Sequence, residues 1–238
     1  MAVLPDPRPT RDKDAGLVQA MFDRVAPRYD LANTILSFGQ DRHWRRVATR
    51  AVAARPGERV LDVASGTGAL AAELRATGAQ VVALDFSWNM LAAGAARVPA
   101  AVAPLWTNGD GTRLPFPDGA FDAVTIAFGL RNMPDTAAGL REFARVTRPG
   151  GRLAVLEFSH PTWLPLRRAY EDGVLSALPL AARLFTSDPR AYAYLAASIR
   201  EWPAQPALAD LIATSGWTHA RWTNLTGGIV ALHHAVRG

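Results

Sequence analysis

"VLDVASGTGAL", Val60 to Leu70, is a continuous apolar run that breaks into a glycine-rich turn. An apolar strand that gives way to closely spaced glycines, then to small helix-forming residues, reads as the first βα turn of an open parallel sheet. Glycines there let the backbone approach a ligand closely, and the helix that follows presents free N–H groups. Gly66, Gly68 and Ala71 also satisfy a loose Gly-x-Gly-x-x-Ala dinucleotide spacing, so the loop alone leaves its nucleotide open.

The same alternation continues outward. "ALAAELRATG" reads as a helix closed by Gly78, and "QVVALDF" as a second apolar strand. "SWNMLAAGAARV" is a helix with Ser87 as its N-cap candidate. "VAPLWTNGD", "AFDAVTIAFGL" and "RLAVLEFS" supply three more strands, the last preceded by an amphipathic helix that ends at Pro149-Gly150-Gly151. "WTHARWTNL" and "GIVALHHAV" read as two late strands joined at Thr226-Gly227-Gly228. Strands alternating with helices of this length predict an α/β fold with a parallel sheet.

Before the sheet, residues 1–15 are polar and carry Pro5, Pro7 and Pro9, which predicts a flexible tail. Residues 16–54 show apolar positions at helical spacing, broken near Pro27 and Gly39. The main domain is expected over 55–238, with a helical insertion at 161–203 that is rich in Leu, Ala, Arg and Tyr.

Composition excludes several classes. With no cysteine among 238 residues, disulfides, thiolate metal sites and cysteine nucleophiles are ruled out. The five histidines show no ligand spacing, so no metal is expected. The net charge of +5 rests almost wholly on arginine, Lys13 being the single lysine, and no block of like charges marks a nucleic-acid partner. No apolar run is long enough for a membrane-spanning helix, and the opening residues lack the apolar core of a secretory signal. A cytoplasmic location is the expectation.

Three acids sharpen the cofactor reading. Asp62 precedes the glycines at a strand end, Asp85 closes the second strand, and Asp110 follows the third. A carboxylate at position 62 would repel a pyrophosphate and pair with an ammonium group. Asp85 stands where an acid bonds ribose hydroxyls, and Asp110 where one meets an adenine edge. An ammonium, a ribose and an adenine with no phosphate cradle describe S-adenosylmethionine; NAD has no use for Asp62. The competing reading is that these acids merely cap helices and turns.

These motifs resemble the C-methyltransferases of menaquinone and ubiquinone biosynthesis. The resemblance runs from Val18 to the C-terminus through "FDRVAPRYDLANTILSFGQDRHWR", "VLDVASGTG", "ALDFSWNML", "LPFPDGAFDAVTIAFGLRNMPD", "RVTRPGGRLAVLEFS" and "NLTGGIVALH". It implies the Rossmann-like class I methyltransferase fold: a seven-stranded, mostly parallel sheet with an antiparallel last strand, helices on both faces, and an N-terminal helical lid over 16–54. Carried over by position, the family's cofactor contacts fall on Thr67, Asp85, Asp110 and Gly111; with Asp62, Gly66, Gly68, Phe86 and Ala127 they make up the candidate cofactor site. Many family members place a serine at position 127 and a histidine at position 41, where this chain has Ala127 and Asp41. "SFGQDRHW" and "REWPAQPAL" look like actinobacterial-type versions, which makes demethylmenaquinol the implied substrate. The alternative is another aromatic or natural-product acceptor served by the same cofactor half.

Methylating a quinol carbon requires positioning and stabilisation of a phenolate-like ring. Arg131 and Asn132, in "FGLRN" after strand four, are the candidate catalytic pair; the competing reading of Arg131 is that it only fixes the turn through carbonyls. Tyr29 and Asn33 are candidate substrate contacts, and His160 a candidate base. A prenyl tail stays in the bilayer, so peripheral contact with the membrane surface is expected. The insertion segment "WLPLRRAYEDGVLSALPLAARLF" has the composition for it, and would also suit a homodimer interface.

Overall fold

In a computed structural model of the chain, the described residues are 40–177 and 189–238, together with Gly16, Ser37 and Gly39. Seven strands form one sheet: β1 Arg59–Val63, β2 Gln80–Asp85, β3 Leu105–Asn108, β4 Phe121–Ala127, β5 Thr147–Phe158, β6 Trp217–Leu225 and β7 Val230–Arg237. Their spatial order is β3-β2-β1-β4-β5-β7-β6. All pairs from β3 to β5 are parallel, and β7 runs antiparallel to both of its neighbours. The order reverses between β1 and β4, and the carboxyl ends there form the switch-point crevice.

The helices are α1 Gln40–Val52, α2 Ala69–Arg75, α3 Trp88–Ala95, α4 Thr136–Val146, α5 Leu164–Arg168, α6 Pro189–Glu201 and α7 Gln205–Thr214. They explain why the strands read as unbroken apolar runs: both faces are covered. Leu61, Val63, Val124, Ile126, Leu153 and Val155 face one layer, with Leu140 and Phe143 of α4 and Leu208 and Ile212 of α7. Their neighbours Val60, Ala123, Ala154 and Leu156 face the other, under Trp44, Ala48 and Val52 of α1 and Leu70 and Leu74 of α2. The period-2 split assigns adjacent residues to opposite layers.

Two boundaries differ from the sequence reading. Helix α1 falls within the predicted lid, yet Trp44, Ala48 and Val52 recur every fourth residue and sink into the core. Trp44 Nε1 also donates to Thr226 Oγ1 at 2.9 Å, so residues 40–52 belong to the main body. Gly39 caps this helix at φ 74°. Asp41, the departure from histidine, is buried and accepts from Arg45 at 2.9 Å one turn on. Of the rest of the predicted lid, only Gly16, Ser37, Gly39, Ala53 and Ala54 are described; Tyr29, Asn33 and the tail over 1–15 lie outside the described residues.

Strand β5 starts earlier than predicted and runs through Pro149-Gly150-Gly151. Its pairing with β4 slips between Phe121 and Ala123, and Gly150 sits at φ 73°, a glycine bulge rather than a helix stop. Within the expected insertion, α5 continues as a π-helical stretch through Ala169–Val174, and α6 follows the undescribed residues 178–188.

Candidate active site

The carboxyl ends of β1 to β4 surround a half-open cleft of about 860 Å³, its solvent-filled mouth included. Gly66, Asp85, Phe86, Asp110, Gly111, Ala127 and Asn132 line it, as do Phe128 and Met133. Asp62, Thr67, Gly68 and Arg131 stand behind that lining.

Asp85 organises the glycine loop. Its Oδ2 accepts from Gly66 N at 2.7 Å and its Oδ1 from Ser87 N at 2.8 Å. Ser87 caps α3 by accepting from Met90 N, as the sequence predicts. Gly68, at φ 76°, is required by contact as well as by conformation: a Cβ there would fall 2.4 Å from the Trp106 ring. Asp110 sits in a tight turn, its Oδ1 accepting from the amide and hydroxyl of Thr112 at 2.8 Å each.

Asp62 is the unusual acid. It is 1% exposed, and Thr125 Oγ1 donates to its Oδ1 at 2.6 Å. Its Oδ2 is buried and accepts no well-formed hydrogen bond among the described residues, although the Ala71 amide lies near enough to the carboxyl to favour its charged form. Burial raises its pKa to about 7; the Thr125 bond opposes the rise and the nearby Asp85 charge adds to it. A buried acid with one unfilled oxygen beneath a glycine loop is an arrangement in want of a cation.

The far wall is the turn after β4. Phe128 has φ 58° and Ala64, ending β1, has φ 50°, both in the left-handed region that bulky or branched residues seldom enter. Gly129 follows, and a Cβ on it would lie 2.4 Å from Ala64 Cβ. Arg131 does not reach into the cleft. Its Nη1 donates to Phe128 O at 2.6 Å and to Glu157 Oε1 at 2.7 Å, and its guanidinium lies 5.3 Å from the Phe158 ring centre. The guanidinium is a buried ion pair that holds the turn through the Phe128 carbonyl, the arrangement of the competing reading of Arg131. Asn132 does face the cleft; its Oδ1 accepts from Tyr194 OH at 3.1 Å, and its Nδ2 approaches Phe128 O at 3.4 Å. Burial raises the Tyr194 pKa, so the phenol stays neutral and donates.

His160 is not poised as a free base. Its Nδ1 lies 2.7 Å from Glu171 Oε1 and its Nε2 2.8 Å from Trp202 O, tying the insertion to the end of β5. Of the insertion aromatics, Tyr170, Tyr192 and Trp202 are buried, Trp163 is exposed, and Phe185 lies outside the described residues. Sequence reasoning missed Thr125, Phe128 and Glu157. Glu157 carried a signal, an acid inside the apolar run "LAVLEF", because a buried charge needs a partner.

Residues 10–237 match the model of the ubiE/COQ5 methyltransferase family. The chain belongs to that family. A relative named demethylmenaquinone methyltransferase, from Mycolicibacterium paratuberculosis, is 58% identical over 95% of this chain and 96% of its own length. A protein of the same name from Mycobacterium tuberculosis is 57% identical over 95% and 94%. Among solved structures, a putative methyltransferase from Haloferax volcanii, in complex with its Trm112 activator, superposes with TM-score 0.65 at 19% identity. That match covers 91% of this chain and 97% of the other. Haemonchus contortus phosphoethanolamine N-methyltransferase 2, solved with S-adenosyl-L-methionine, superposes with TM-score 0.60 at 17% identity over 84% and 53%. At such identities the structures establish the fold, and membership of the family makes the chain a methyltransferase.

Proposed function

We propose that the protein transfers a methyl group from S-adenosylmethionine to a ring carbon of demethylmenaquinol, giving menaquinol in the last step of menaquinone biosynthesis. Near-full-length identity of 58% to a demethylmenaquinone methyltransferase carries the substrate assignment. The orphaned Oδ2 of Asp62 carries the cofactor assignment on the structural side, since it suits a cationic ligand and would repel a phosphate. The glycine cradle, and the Asp85 carboxylate that organises it at the end of β2, fit the rest.

When bound, the cofactor supplies an electrophilic methyl group on a sulfonium centre. Asp62 would hold its ammonium, Asp85 its ribose hydroxyls, and Asp110 and Gly111 its base, with Gly66, Thr67 and Gly68 forming the close backbone beneath. Phe86, 44% exposed at the cleft edge, offers a ring for the base to rest on. Ala127 adds no hydrogen bond and leaves room beside the turn.

The acceptor would lie against Phe128, Asn132 and Met133. Asn132 is the polar group placed to meet a quinol oxygen: Tyr194 fixes its carbonyl side, which leaves an Nδ2 proton to donate. Arg131 keeps a place in this machinery through the turn it holds, and Tyr29 and Asn33 are proposed acceptor contacts on the family resemblance.

The prenyl tail places the enzyme at a bilayer, at the inner face of the plasma membrane. No helix among the described residues is long and apolar enough to cross one. Trp163 and Leu164 are 67% and 56% exposed at the start of α5, beside exposed Arg167 and Arg168. Aromatic and aliphatic side chains flanked by arginine fit an anionic lipid surface. Incubation with S-adenosylmethionine and reduced demethylmenaquinone should give a product heavier by one methyl group. Cofactor binding without quinol turnover would instead favour a different aromatic acceptor.

A further inference from the structure

We propose that Glu157 is a positioning residue for methyl transfer, acting through Arg131 on the strained turn that carries Phe128 and Asn132. The inference rests on the cleft being the methyl-transfer site, and Glu157 itself does not line that cleft.

The geometry runs across three strand ends. Glu157 closes β5 and is 1% exposed; its Oε1 accepts from Arg131 Nη1 at 2.7 Å and from Phe158 N at 2.8 Å. Its Oε2 accepts from Arg131 N at 3.3 Å, so both side chain and backbone of Arg131 are held. The other proton of Arg131 Nη1 goes to Phe128 O at 2.6 Å. Phe128 N donates to Leu156 O at 2.8 Å, which fixes the residue at both ends of its peptide unit in the left-handed region. The Phe128 ring then packs 5.0 Å from the Phe158 ring and 5.9 Å from that of Trp44. Gly129 is pressed against Ala64 at the end of β1, where only a hydrogen fits.

Stability gives this pair little reason to exist. Two buried charges pay desolvation, and a well-packed apolar pair in their place is often as stable or more so. A bulky residue at positive φ is strained as well, and such strain persists where surroundings over-determine it, chiefly at functional sites. What the pair does secure is the position of the Phe128 wall and the Asn132 amide, two of the groups that line the cleft. Glu157 thus sets acceptor geometry from outside the cleft.

Three variants test this: Glu157→Gln, Glu157→Leu combined with Arg131→Met, and Tyr194→Phe as a control confined to Asn132. Glu157→Gln keeps the shape but turns an amide donor toward a second donor. The expected result is a kcat lower by roughly 10- to 100-fold, as for a displaced reacting group, with the cofactor dissociation constant within about twofold of wild type. Amide hydrogen exchange at Arg131–Met133 should quicken in the same variant, a readout independent of turnover. The double variant removes both charges and should fold, yet remain as slow as Glu157→Gln. Wild-type kcat in either folded variant would overturn the proposal, as would unchanged exchange at 131–133 or a loss carried wholly by cofactor affinity. If wild type itself fails to methylate the quinol, the substrate reading fails, and the exchange data still decide the role of Glu157.

Discussion

Replacing Asp62 by asparagine should separate cofactor binding from stability, because the acid serves one against the other. In the ligand-free protein burial lifts its pKa from 3.8 to about 7, so the folded state holds this proton more tightly than the unfolded chain does. Stability of the ligand-free protein therefore falls as pH rises from the unfolded value through about 7, as the buried carboxyl is forced to ionise. That gap corresponds to roughly 4 kcal/mol of destabilisation once the group is charged. An asparagine keeps the bond from Thr125 but buries amide protons with no acceptor, costing about 1–3 kcal/mol. At about pH 8 the ligand-free variant should then be about 1–3 kcal/mol more stable than wild type, with a Tm several degrees higher. Binding runs the other way. A ligand ammonium beside Asp62 favours the carboxylate, so affinity of the wild type should rise with pH through about 7, close to tenfold from about pH 6 to about pH 8. Titration calorimetry in buffers of different ionisation enthalpy should register a proton released on binding S-adenosylmethionine at about pH 6. In Asp62→Asn the pH dependence and the proton release should vanish and the affinity should drop. PH-independent binding by the wild type, or an asparagine variant that binds as tightly, would refute the assignment.

Other perturbations follow from the same geometry. Gly68→Ala forces a Cβ into the Trp106 ring at a positive φ, so equilibrium dialysis should show cofactor affinity lost by at least about tenfold while the sheet stays folded. Tyr194→Phe frees the Asn132 amide without adding volume; the quinol KM should rise several-fold with cofactor affinity unchanged in steady-state assays. Trp163→Ser with Leu164→Ser should abolish flotation with anionic vesicles and slow turnover of a long-tailed quinol. Turnover of a short-tailed, water-soluble analogue should be unaffected. If chromatography with light scattering shows instead that wild type is a dimer and this variant a monomer, the face is a contact between copies.

The sheet was legible because its signals are local. Apolar runs of strand length, glycines at β1 to α2, and Ser87 before α3 each announce their element within a few residues. Asp85 and Asp110 were placed on the cleft by their strand ends alone. What the sequence concealed depends on partners far away in the chain. Nothing in "FGLRN" says that Phe128 adopts a left-handed backbone, because a phenylalanine carries no mark of positive φ. The two readings of Arg131, catalytic or turn-fixing, stayed open because its partner, Glu157, lies 26 residues on. Helix α1 read as lid because an amphipathic period shows that a face is buried, not what buries it; the bond from Trp44 to Thr226 spans 182 residues.

The central claim, methyl transfer from S-adenosylmethionine to a quinol carbon, is tested most directly by label position. With S-adenosylmethionine labelled at the methyl with carbon-13 and reduced demethylmenaquinone as acceptor, the product can be examined by carbon NMR. The account predicts one labelled methyl bonded to the unsubstituted ring carbon of the naphthoquinol. A labelled methyl on oxygen, or none on the quinol while S-adenosylmethionine still binds, would contradict it.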